Sequence, residues 1–218
     1  MKLNKYIEHT LLKQDATKAD LIKLLDEARE NSFLGVCVNP VNVAFTKQYL
    51  KDTDANEVKI VTVIGFPLGQ CTTEAKVLET IDAVKNGADE IDMVLNVGKL
   101  KDTEYDYIVK EISAIKTACQ GKALKVILET DLLSSDEIKK ACELCIEGKA
   151  DFVKTSTGFV KNGVGAKAED IKLMYETVKD AGLGVKASGG VRDKEAALKM
   201  IEAGATRIGT SSGVAICS

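Results

Sequence analysis

The sequence predicts an α/β fold, a single (β/α)8 TIM barrel over residues 1–218 with a short N-terminal helical extension. Three observations lead there. Short apolar, β-branched runs alternate with longer segments of helical period, and the runs are apolar on both faces, as strands of a parallel sheet covered by helices are. Successive runs are spaced by about 22 to 35 residues, the size of one βα unit with its loops. A glycine-bearing joint recurs where helices end and strands begin, at 86-NGAD-89, 148-GKAD-151 and 203-AGAT-206; glycine accepts the left-handed backbone that closes a helix.

In chain order, 6-YIEHTLL-12 is expected as the first strand and Lys18–Glu30 as the helix after it. The next strands are read at 34-LGVCV-38, 58-VKIVTVI-64, 90-EIDMVLNV-97 and 124-LKVILET-130, and the last three at 151-DFVKT-155, 183-LGVKA-187 and 206-TRIGT-210. Helical period marks Glu74–Lys85, Tyr105–Ala118, Asp136–Ile146, Ala168–Asp180 and Lys194–Ile201. No linker interrupts this series; the only prolines are Pro40 and Pro67. An open doubly wound sheet is the competing architecture. It loses its main support because no Gly-x-Gly-x-x-Gly follows the early strands.

Composition narrows the function. A net charge of −3 with acids and bases interspersed argues against a nucleic-acid partner, which calls for a basic patch or stripe. The longest apolar runs are strand-sized, too short to span a membrane. The start of the chain is polar and lacks the apolar core of a signal peptide, so a cytoplasmic location is expected. The six scattered cysteines read as reduced thiols rather than a disulfide framework. Cys142 and Cys145 form a CxxC inside a helical pattern, where packing is a better reading than zinc or redox chemistry.

Chemistry in such a barrel gathers where strands end and βα loops begin. Asp92, Lys154 and Lys186 are charged residues embedded in apolar strands. Lys154 and Lys186 occupy the same phase on consecutive strands, which places the two amines side by side. Burial and a neighbouring cation both disfavour the ammonium form and free the lone pair, as an imine-forming lysine requires. Asp92 is read either as the partner in a buried ion pair or as a proton carrier between imine intermediates. The loops 188-SGGVR-192 and 209-GTSSG-213 follow the last two strands, the recurrent place for a phosphate in these barrels, and glycines let backbone amides approach an anion. The loop 155-TSTG-158 adds hydroxyls and a glycine beside Lys154. His9, the only histidine, is expected to pack or hydrogen-bond at the end of the first strand.

The segments 151-DFVKTSTGF-159, 90-EIDMVLNVG-98, 185-VKASGGVR-192, 36-VCVNP-40 and 8-EHTLL-12 together resemble the deoxyribose-phosphate aldolases, in order and spacing, through almost the whole chain. The resemblance implies a class I barrel aldolase that reversibly cleaves 2-deoxy-D-ribose 5-phosphate to glyceraldehyde 3-phosphate and acetaldehyde. It implies no metal and no organic cofactor, a small-molecule sugar phosphate as partner, and a homodimer or higher homo-oligomer. It further implies Lys154 as the Schiff-base lysine, Asp92 as the relay acid, and Lys186 as the lysine that perturbs Lys154 and shares the relay. Thr157, Gly158, Gly189, Gly190, Ser211 and Ser212 fall at the substrate and phosphate positions, and Cys37 matches a cysteine of the family's pocket wall. Glu8 stands where the family usually has Asp, and the sequence stops at Ser218, soon after the last phosphate loop, without the longer tail common among its members.

Two other readings compete. Another imine-forming barrel lyase, transaldolase-like or acting on a keto acid, would need a carboxylate-binding arginine; Arg192 and Arg207 are the candidates, though their motifs fit phosphate and helix-start roles better. A non-catalytic sugar-phosphate binder would keep the glycine loops but has no need of two lysines and an aspartate in the strands.

Overall fold

A strand that is apolar on both faces must be covered on both, and the chain meets this demand by closing its sheet. The computed structural model describes residues 2–218. Eight parallel strands close a barrel in sequence order: β1 (Ile7–Leu11), β2 (Gly35–Val38), β3 (Lys59–Ile64), β4 (Glu90–Val94), β5 (Ala123–Ile127), β6 (Phe152–Lys154), β7 (Gly184–Ser188) and β8 (Arg207–Thr210). Pairing of β8 with β1, Ile7 opposite Ile208, completes the ring.

The helices lie outside it: α1 (Lys18–Glu30), α2 (Val43–Asp52), α3 (Thr73–Lys85), α4 (Val97–Lys101), α5 (Tyr105–Ala118), α6 (Ser135–Glu147), α7 (Ala168–Val178), α8 (Lys194–Glu202) and α9 (Gly213–Cys217). Their starts follow local chemistry. Thr17 with Asp20 and Ser134 with Glu137 form reciprocal capping boxes on α1 and α6, each satisfying amides that have no partner within the helix. α2, α4 and α9 were not expected; α4 and α9 are five residues long, too short to display a helical period. The N-terminal extension is a single 3-10 turn, Leu3–Tyr6.

The main apolar core lies between sheet and helices. Ile108, Ile112 and Ile115 of α5 and Ile138, Ala141, Cys142 and Cys145 of α6 all belong to it. Removing an isoleucine-sized side chain from water contributes about 1.5–3 kcal/mol, so the CxxC of α6 serves packing. Burial pushes the Cys142 thiol up to about 12, which keeps it protonated and inert.

One glycine joint departs from expectation. Gly87 and Gly204 take positive φ, but at the middle joint it is Lys149 that does, at φ 62°. Gly148 is required there for space: a Cβ on it would stand 2.6 Å from Ile112 Cγ2.

Candidate active site

The interior of the barrel is divided by polarity. Leu12, Cys37, Val61 and Val63 form a small apolar cluster on the β2–β3 side. Beside it, with Asp92 opposite Val63 in the β3–β4 register, Lys125, Lys154 and Lys186 meet Glu8, Glu90 and Asp92, all six buried. Strand register brings them together: Asp92 pairs with Lys125 between β4 and β5, and Lys154 pairs with Lys186 between β6 and β7.

Asp92 is the hub. Its Oδ1 accepts from Lys125 Nζ at 2.9 Å, and its Oδ2 accepts from Lys154 at 2.8 Å and Lys186 at 2.6 Å. Burial would raise the Asp92 carboxyl, but Lys125, Lys154 and Lys186 outweigh it and hold the group well below the usual carboxylate range. Lys125 also reaches Glu90 at 2.7 Å and Glu8 at 3.5 Å, and Lys186 bonds Glu8 as well. Lys59 at 2.7 Å from Glu90, and Arg207 at 3.6 Å from Glu8, carry the charge balance to the base of the strands.

The three lysines diverge in behaviour. Burial works to lower each of them. For Lys125 and Lys186 the carboxylates prevail and the amines are raised, Lys186 by Asp92 and Glu8 together. For Lys154 burial prevails, helped by the Lys186 charge, and its amine is lowered. The reason is geometric: the one carboxylate bonded to Lys154 is already shared with two other cations, whereas Lys125 and Lys186 have further acids of their own. Burial, ahead of the neighbouring cation, is therefore the main cause of the Lys154 shift.

Lys154 is also the only one of the three to line the open cavity, about 350 Å³, at the C-terminal mouth of the barrel. Lys13 and Arg192 line it too, and no acidic side chain does. Gly158, Gly189, Gly190 and Ser211 form its far wall. Among the described residues, no acceptor takes the amide hydrogens of Gly158, Gly189 or Gly190, so all three are free to donate. Hydroxyls lace β6 to β7 beneath this wall: Thr155 Oγ1 donates to Ser188 O at 2.9 Å, and Ser188 Oγ to Ser156 O at 2.6 Å.

Several expected residues sit differently. Cys37 is fully buried in the apolar cluster, outside the cavity lining. Ser212 is likewise outside the lining, and its amide is bound to Thr210 Oγ1 at 2.9 Å. Thr157 lines the cavity, but its hydroxyl donates to Glu129 and accepts from the Phe159 amide, so it holds the loop. Arg207 lies at the opposite end, its guanidinium 5.2 Å from the centre of the Phe152 ring, and is no carboxylate clamp for a substrate. His9 hydrogen-bonds Glu27 through Nε2 at 2.7 Å and packs edge-on against Phe33, as expected of a structural histidine. Lys125, Glu90 and Lys13 were missed. Lys125 and Glu90 carried the same signal as Lys154, a charge in an apolar strand; Lys13 looked like any loop lysine.

A family model for DeoC/LacD family aldolases matches residues 3–218. A deoxyribose-phosphate aldolase of Enterococcus faecalis is 57% identical over 100% of this chain and 97% of the relative. One from Finegoldia magna is 54% identical over 99% of each. A solved structure described as a tetrameric deoxyribose phosphate aldolase from Aeropyrum pernix superposes with a TM-score of 0.90 at 33% identity, covering 99% of this chain and 89% of that one.

Proposed function

The chain belongs to the DeoC/LacD family of aldolases, and on that footing we propose that it reversibly cleaves 2-deoxy-D-ribose 5-phosphate to glyceraldehyde 3-phosphate and acetaldehyde through an imine on Lys154. The observation that carries the residue assignment is the asymmetry among Lys125, Lys154 and Lys186: of these three, only Lys154 has a lowered amine and opens onto the cavity.

The geometry supports the following steps. The neutral Lys154 amine attacks the C1 aldehyde of the open-chain sugar, forming a carbinolamine. Loss of water, with a proton delivered to the leaving hydroxyl, leaves the protonated imine. Asp92 and Lys186 are the groups placed to move these protons, since Lys186 and Lys154 share Asp92 Oδ2. Asp92, directly or through water, takes the C3 hydroxyl proton. The C2–C3 bond breaks, its electron pair is taken up by the protonated imine as an enamine, and glyceraldehyde 3-phosphate leaves with C3 as its aldehyde. Protonation at the enamine carbon and hydrolysis release acetaldehyde and restore the amine. The substrate phosphate is held by the amides of Gly158, Gly189 and Gly190, with Ser211, Lys13 and Arg192 completing a pocket free of acidic groups. A dianion gains most where desolvated amides and cations converge.

The test is borohydride reduction in the presence of acetaldehyde, followed by peptide mass analysis. The expected result is a two-carbon adduct on Lys154; an adduct on another lysine, or none, overturns the assignment. We further infer assembly into a homo-oligomer, supported by the tetrameric relative and by the exposed apolar side chains of Val41 and Leu68; light scattering decides it. No helix of the described residues is long and apolar enough to cross a membrane. The free cysteines support a reducing compartment, the cytoplasm.

A further inference from the structure

The wall that faces Lys154 is built from a segment with little structure of its own. Residues 155–167, between β6 and α7, form no helix or strand. Within the segment the bonds are few: Gly163 N to Val160 O at 3.0 Å, and Phe159 N to Thr157 Oγ1 at 3.0 Å. A connection of that length must be held from outside if it is to present amides in a fixed array.

The holding groups are two carboxylates from the short turn after β5. Glu129 accepts the Thr157 amide on Oε1 at 3.0 Å and the Thr157 hydroxyl on Oε2. Asp131 accepts the Val164 amide on Oδ1 at 3.3 Å and the Gly165 amide on Oδ2 at 2.8 Å. One acid thus grips the start of the segment, beside Gly158, and the other grips its end. That end packs on the next loop. Ala166 N bonds Gly189 O at 3.0 Å, and Cβ atoms added to Gly165 or Gly190 would stand 2.4 and 2.3 Å from Gly189 and Val164 backbone atoms. The two carboxylates therefore index both glycine walls of the cavity to one rigid turn.

Two features mark this turn as more than ordinary loop chemistry. Glu129 is 4% exposed, and burying a carboxylate there is costly unless its oxygens are fully used. It also sits at φ 63°, ψ 61°, a left-handed conformation that disfavours a side chain of this size and persists only where surrounding contacts enforce it.

We propose that Glu129 and Asp131 are positioning residues that set the preference for a phosphorylated over an unphosphorylated substrate, by fixing the glycine amides of the phosphate wall. The inference rests on the phosphate site proposed above. Neither acid touches the reacting carbons; both act through the backbone of residues 157–165 and 189–190. Their loss is felt where the phosphate binds and far less at the imine.

The experiment compares kcat/KM for 2-deoxyribose 5-phosphate and for 2-deoxyribose in the wild type, Glu129→Gln and Asp131→Asn. At Asp131 the amide side chain keeps one acceptor and turns a donor toward a backbone N–H. At Glu129 it keeps the Thr157 amide and the hydroxyl reverses to accept, so the larger fall is expected in Asp131→Asn. The expected result is a fall of about ten-fold or more in the phosphorylated-to-unphosphorylated ratio, expressed in KM for the phosphate ester. An unchanged ratio in both variants overturns the proposal, as does a proportionate loss on both substrates. Should Glu129→Gln fail to fold, Asp131→Asn, at a half-buried site, must show the fall by itself. A wild type that does not discriminate between the two sugars defeats the phosphate reading itself, and the proposal with it.

Discussion

Lys154 and Lys186 stand opposite each other in the β6–β7 register and bond the same oxygen of Asp92, at 2.8 and 2.6 Å. A carboxylate oxygen shared between two ammonium groups stabilises each less than it would stabilise one. Lys186 makes up the difference with Glu8; Lys154 has no second acid and becomes the weaker base.

Replacing Lys186 with leucine removes a cation from beside Lys154 and releases Asp92 Oδ2 to it alone. Both changes favour the ammonium form, so the Lys154 amine rises and less of it is neutral at pH 7. The expected result is a loss of about 10²-fold or more in kcat/KM at neutral pH, with the acid limb of the pH–rate profile displaced upward. A variant with near-wild-type rate at pH 7 removes Lys186 from the mechanism.

Asp92→Asn separates imine formation from proton transfer. The amide can no longer relay protons, and turnover falls by about 10² to 10⁴-fold. Lys154, relieved of the carboxylate that favoured its charged form, condenses with acetaldehyde more slowly, with Lys186 left to serve the dehydration, and is still trapped by borohydride. Loss of trapping in a folded variant contradicts this division of roles.

Acid stability is set in part by the same cluster. Lys125 and Lys59 overcome burial to hold Glu90 at about 2 against an ordinary 4.5, and Asp92 lies well below 3.8. The unfolded chain therefore takes up protons near pH 4 that the folded chain refuses. The stabilisation is full above pH 4.5 and is lost as pH falls toward 2. Thermal melts across that range are expected to drop steeply for the wild type and less steeply for Glu90→Gln.

Gly209→Ala tests the packing of Lys186. A Cβ at Gly209 would lie 2.9 Å from Lys186 Cε, the far end of a flexible side chain, so the fold accommodates it by moving the amine. Melting temperature is expected to stay close to wild type, while activity falls by about ten-fold or more through misplacement of the relay. Full activity shows that the Lys186 amine has slack.

Thiol labelling of the native protein by iodoacetamide is expected at Cys71, which is exposed, and not at Cys37, Cys119, Cys142 or Cys145, which are buried. Burial holds the Cys119 and Cys142 thiols near 12, far from the reactive thiolate. Modification of Cys142 in the folded state would reopen the CxxC as a functional pair.

The alternation of strand and helix was readable residue by residue. α5 runs over Tyr105–Ala118 and α1 over Lys18–Glu30, as their periodicity predicts, because amphipathic period and capping are local properties. Lys154, Lys186 and Asp92 were readable for a related reason: a charge amid Val, Ile and Met is anomalous wherever it occurs. Lys125, between Leu124 and Val126, showed the same anomaly and should have been taken with them.

What no linear pattern could show was how the charges are shared. The barrel and its charged strand positions were determined by the sequence itself, since burial period and apolar context are written along the chain. Tertiary structure decided which lysine is the weak base. Closure of the sheet places three ammonium groups around one carboxylate and gives two of them further acids from β1 and β4. It also decided that the Thr157 hydroxyl and the Ser212 amide are bonded within the loops, and that Glu129 reaches across to hold the residue beyond β6. Such outcomes depend on distances between residues far apart in the chain, and competition for a shared hydrogen-bond acceptor exists only once those distances are set.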